Sequence, residues 1–91
     1  MNEVIRGEEA HRLLNDPLYK EAFQAVKDTI IQQLEIDGLD TVRRQRLNDL
    51  LVALVRVRKY LEIVVAYGKE AELKIERENL LDKSRRYLRR A

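Results

Sequence analysis

The stretch Leu50-Leu51-Val52-Ala53-Leu54-Val55-Arg56-Val57-Arg58-Lys59-Tyr60-Leu61-Glu62-Ile63-Val64-Val65-Ala66-Tyr67 decides the fold. Fourteen of its 18 residues are apolar, and only Arg56, Arg58, Lys59 and Glu62 interrupt them. Leu47, Leu50, Leu54, Val57, Leu61 and Val64 recur at steps of three or four and form one face of a helix. Val52, Val55, Ile63 and Ala66 fall on another side of the same wheel. Two apolar faces imply two neighbours, one within the chain and one outside it. The second face, Val52, Val55, Ile63, Ala66 and Tyr67, is therefore expected to be an oligomer interface. The alternation Val55-Arg56-Val57-Arg58 also suits a strand, but nothing between Thr41 and Tyr67 breaks the chain, and a strand of that length is abnormal.

Upstream, Asp37-Gly38 signals a turn, and Asp40 or Thr41 is placed to cap the long helix. The helix before that turn runs from Pro17 to about Ile36, with Tyr19, Phe23, Val26, Ile30 and Leu34 as its stripe and Ala22 between. Asn15-Asp16-Pro17 is a start signal, since a proline at the first helical position loses no hydrogen bond. Before it, Glu8 to Leu14 makes a short helix with Ala10, Leu13 and Leu14 on one side, and the residues up to Gly7 are expected to fray. The expected fold is all-α: an antiparallel helical hairpin with a short N-terminal helix and a basic helical C-terminal arm, with a second copy as the expected partner. The whole of 1–91 reads as one domain, with its core over about 8–67 and the arm over about 69–91.

Gly68 either caps the long helix or is passed through at a cost of about 1 kcal/mol. Beyond it Lys69 to Asp82 stays helix-prone, with Glu70 four before Lys74 and a thin stripe of Leu73, Leu80 and Leu81. The end of the chain, with Lys83, Arg85, Arg86, Tyr87, Arg89 and Arg90, is the candidate surface for a protein partner or a polyanion. Residues 1–41 carry 4 basic and 9 acidic groups, residues 42–91 carry 14 basic and 7 acidic, so a net charge of +2 hides opposite halves. Such polarity suits pairing within or between subunits, or contact with nucleic acid through the basic end.

The 91 residues include no Cys, which excludes disulfides and thiolate chemistry and suits a reducing compartment. No run approaches the roughly 18 apolar residues of a membrane span, and no signal-peptide pattern is present, so the expected location is the cytoplasm of a bacterial host, with virion association. Glu8-x-x-His11 matches a spacing used in di-iron bundles, with Glu21 and Glu35 available as further carboxylates, yet a solvated or capping histidine is the better reading. Arg58, Lys69 and the Arg77-Glu78 pair are similar in type and order to the substrate-binding groups of helical chorismate mutases over about a third of the chain. Arg56, Arg58 and Lys59 are better read as snorkelling, or as pairing with Asp28 or Glu35. No catalytic residue, cofactor or metal ligand is assigned, and the chain is read as a non-enzyme.

The segment Leu13-Leu14-Asn15-Asp16-Pro17-Leu18-Tyr19-Lys20-Glu21-Ala22-Phe23, followed by Tyr60-Leu61-Glu62-Ile63-Val64-Val65-Ala66-Tyr67-Gly68-Lys69, resembles small helical proteins of tailed bacteriophages. The resemblance spans about 60 of the 91 residues. It implies a setting near head and packaging functions and brings no catalytic residues. The function expected is protein–protein contact in virion assembly or structure, with a phage structural protein as partner. The alternative is a nucleic-acid-binding accessory factor in packaging or regulation.

Overall fold

The computed structural model describes residues 2–90, with Arg90 described by its backbone alone. Three helices account for nearly all of it: α1 (Glu3–Asn15), α2 (Pro17–Leu34) and α3 (Thr41–Arg90). Each begins at a side chain that accepts hydrogen bonds from the first free amides, which have no partner inside the helix. Asn2 accepts from the Val4 amide at 2.8 Å. Asp16 accepts from Leu18 and Tyr19 at 2.8 and 3.0 Å, with Pro17 as the first residue of α2. Asp40 accepts from Arg43 at 2.7 Å, so of the two residues expected to cap α3 it is the aspartate that does so. The turn before α3 contains Gly38 at φ +76°, a left-handed conformation that glycine adopts without steric cost. Asp16→Ala removes both hydrogen bonds at the start of α2 and is expected to lower stability by about 1 kcal/mol, read from the urea midpoint.

Residue numbers fall along α3 as they rise through α1 and α2. Gly7 lies against Gly68, and Phe23 lies under Arg58. The two short helices are therefore laid one after the other along the long one. Packing on α3 is more extensive for α1 than for α2, whereas the sequence pattern assigns the main packing to α2. The expectation that residues up to Gly7 fray is also corrected: α1 starts at Glu3, held by the Asn2 cap, and Gly7 is buried in its second turn. Helical periodicity misses this segment because its contact is made by a residue with no side chain.

α3 passes through Gly68 without a break. Its inward residues are Leu47, Leu51, Leu54, Leu61, Val65 and Gly68, spaced by three, four or seven, with Val64 and Ala71 half-buried at the margin. Leu50 and Val57, expected on this face, are instead 57% and 60% exposed. Both faces keep the seven-residue repeat of Leu47, Leu54 and Leu61 and differ in whether its companions lie three or four residues on; α1 and α2 cover the side of Leu51 and Val65, a choice that the periodicity of one helix does not make. On α2, Phe23 and Ile30 are buried with Tyr19, Lys27, Ile31 and Leu34 half-buried, and Val26 is exposed.

The buried apolar side chains are Ala10, Phe23, Ile30 and Leu47, and no large side chain is fully buried among the described residues. The molecule measures 79 × 25 × 20 Å. Its radius of gyration, 21.8 Å, compares with about 12 Å for a compact chain of this length.

Candidate interaction surfaces

The centre of the fold is the crossing of α1 and α3. A Cβ placed on Gly7 would stand 2.8 Å from the Gly68 Cα, and one placed on Gly68 would stand 2.8 Å from the Gly7 Cα and 3.0 Å from the Glu3 carbonyl oxygen. Both glycines are needed for the backbones to approach this closely. One side of the crossing is a groove lined by Val4, Glu8, His11, Arg12, Val65, Lys69 and Glu72. The other is bordered by Glu3, Arg6, Tyr60, Ile63 and Tyr67, with the Arg6 guanidinium donating to the Tyr60 hydroxyl at 3.5 Å.

Phe23 anchors α2. Tyr19 stacks on it with centroids 6.3 Å apart, and the Arg58 guanidinium carbon lies 5.0 Å from the ring centre on α3. Arg58 also pairs with Glu62 in its own helix at 3.4 Å, with both side chains about half exposed, so the pair itself contributes little. The facing carboxylates expected as partners for the interrupting cations are otherwise placed: Asp28 accepts from Gln24, and Glu35 is exposed at the end of α2. Arg56 and Lys59 are exposed, as snorkelling residues at the edge of an apolar face would be.

The residues of the enzyme and metal readings are not gathered into one place. Arg58 and Arg77 are nineteen positions apart on a single straight helix, about 28 Å. Glu8 and His11 border the same groove, but among the described residues no three acidic or histidine side chains form a group able to hold a metal. The Asn15 amide lies 3.4 Å from the His11 ring and donates to the His11 carbonyl at 2.8 Å, which ties this histidine to the end of α1.

The residues expected to form an oligomer interface, Val52, Val55, Ile63, Ala66 and Tyr67, are all exposed on α3, and Ile63 and Tyr67 also border the groove beside α1. The basic cluster is exposed at the far end of the same helix: Lys83, Arg85, Arg86, Tyr87 and Arg89, while the Arg90 side chain lies outside the described residues. Sequence reasoning passes over Gly7, Arg6 and Tyr60. The one available signal for the first is that two of the three glycines sit inside otherwise strong helical sequence, where glycine is costly unless a close contact requires it. No helix among the described residues is long and apolar enough to cross a membrane. Comparison with protein-family models, with curated proteins and with solved structures finds no match to this chain.

Proposed function

We propose that this protein acts by association rather than catalysis: an oligomer built through the outward face of α3 that works by protein–protein contacts in the assembly or structure of a phage virion. The observation that carries the association is the surface the single chain leaves in water. It exposes 7914 Å², where a compact protein of 10.8 kDa exposes about 5,500 Å². The excess is ample for an interface, which takes about 800 Å² from each partner. Much of it is apolar, including Val52, Val55, Ile63 and Tyr67 in the middle of α3. Large apolar areas on a soluble chain mark a surface that another protein covers. The setting rests on the resemblance of the Leu13–Phe23 and Tyr60–Lys69 segments to helical phage proteins.

Light scattering on the purified chain, at low and moderate salt and with or without duplex DNA, tests the reading. The expected result is a dimer or larger species that DNA leaves unchanged. Ile63→Glu is expected to shift that mass to a monomer and to lower the melting temperature, because a carboxylate would be carried into a dry interface. A second reading, nucleic-acid binding, is favoured by the exposed cations Lys83, Arg85, Arg86 and Arg89. A monomer that gains mass only with DNA, and loses it steeply as salt rises, would replace the first reading with the second.

A further inference from the structure

From Leu73 onward every described side chain of α3 is exposed, and the helix continues as a charged arm. Its apolar side chains, Ile75 apart, follow a repeat. Leu73, Leu80 and Tyr87 recur every seven residues, and Leu81 and Leu88 repeat the spacing one position on, each more than half exposed. That is a seam along one side of the arm. The charges along it are divided in two. Residues 70–82 carry five acidic and two basic side chains, whereas residues 83–90 carry five basic and none acidic.

We propose that residues 70–90 pair with the same segment of a second copy as an antiparallel coiled coil; this rests on the self-association above and adds to the middle of α3, which the arm pair leaves uncovered, a second contact of defined direction and register. A parallel pair would set the five cations of one chain beside the five of the other. Antiparallel pairing sets each basic half on an acidic one. The register follows from the leucines. With the two-fold axis between Leu80 and Leu81, Leu73 comes level with Leu88 of the second copy, Leu80 with Leu81, and Arg77 with Ser84. The flanking charges agree with this placement independently. Glu76 and Lys83, seven apart, share one flank of the seam, and Glu78 and Arg85 share the other. Across a perpendicular two-fold axis each flank meets its own copy, so Glu76 faces Lys83 and Glu78 faces Arg85, and every such contact occurs twice. The overlap is about 30 Å long, and α1 packs on the side of α3 that carries Leu61, Val65 and Gly68, roughly opposite the seam of Leu73, Leu80 and Leu81 on the helical wheel, so it does not stand between the two arms.

The chain has no cysteine, so introduced thiols report without background. In an equimolar mixture of full-length Arg77→Cys and Ser84→Cys chains under mild oxidation, the cross-link expected is the mixed one, 77 to 84. Like positions would be about 10 Å apart along the axis, beyond the roughly 7 Å Cα separation a disulfide spans. Glu76→Lys with Glu78→Arg is expected to weaken self-association at least tenfold, and adding Lys83→Glu with Arg85→Glu to the same chain to restore it, with helix content by circular dichroism unchanged throughout. Homotypic cross-links would show a parallel pair and overturn the proposal. An oligomer that forms no arm cross-link and ignores the charge reversal would also overturn it, leaving self-association through the middle of α3 intact. A monomer in all conditions, or one that gains mass only on duplex DNA, would remove both readings together.

Discussion

Gly68→Leu is expected to detach α1 from α3. The methylene that any side chain adds at this position meets backbone, the Gly7 Cα at 2.8 Å and the Glu3 carbonyl oxygen at 3.0 Å, and backbone has no rotamer to change. The helices must therefore separate along their whole line of contact, which is the most extensive in the molecule. Replacing a helical glycine gains about 1 kcal/mol of helix propensity, whereas forcing extra atoms into a packed contact costs about 1 to 3 kcal/mol and the freed helix loses its burial as well. An isolated helix of 13 residues does not hold together in water, so α1 should unfold once released. Hydrogen exchange checks this directly: amides 4–15 should lose protection in Gly68→Leu, and partly in Gly68→Ala, while those of α2 keep theirs. Unchanged protection in the leucine variant would mean that the helices do not cross at the glycines. The same substitution at Gly7 should behave alike, since the contact is mutual.

Phe23→Ala has the second large effect, on the other half of the molecule. Phe23 is the largest of the few buried apolar side chains, and it is where Tyr19 and Arg58 meet. Its truncation removes the ring that Tyr19 stacks on and the face over which Arg58 lies, at a cost of about 3 kcal/mol or more. Natural domains have only about 5 to 15 kcal/mol in total, and a core this thin places the protein near the lower end. Chemical denaturation should show the midpoint fall sharply, with loss of α2 protection in hydrogen exchange. Phe23→Leu, which keeps most of the apolar volume while losing the aromatic face, should cost less; equal losses in the two variants would mean that the ring geometry carries the stability and the buried area does not.

These two substitutions act within one chain, whereas Ile63→Glu and the arm variants act between chains, and the comparison separates folding from assembly. A small chain with so little buried surface gains stability from whatever covers the rest of α3. Melting temperature should accordingly rise with protein concentration. Substitutions at the glycine crossing should lower it at every concentration, and substitutions at Ile63 only where the oligomer is populated.

The sequence by itself determines the helices. Asp16 before Pro17, Gly38 after Asp37, the absence of any breaker from Thr41 to Tyr67 and the apolar repeat from Leu47 to Val64 are local signals, and helix formation is governed by local propensities and caps, whereas the passage through Gly68 is not legible there. The exposure of Val52, Ile63 and Tyr67 follows equally from a helix with more apolar positions than one neighbour can cover. What only the tertiary structure decides is which positions meet. That Leu51 turns inward and Leu50 outward depends on where two other helices cross α3, a choice of register that one helix's periodicity leaves open. That Glu3 to Gly7 is ordered depends on Gly68, sixty-one residues away from Gly7, and a contact between two residues without side chains leaves no hydrophobic mark on either segment. Local sequence carries the free energy of making a helix; the pairing of distant surfaces is decided by shape, and shape exists only once the helices lie against one another.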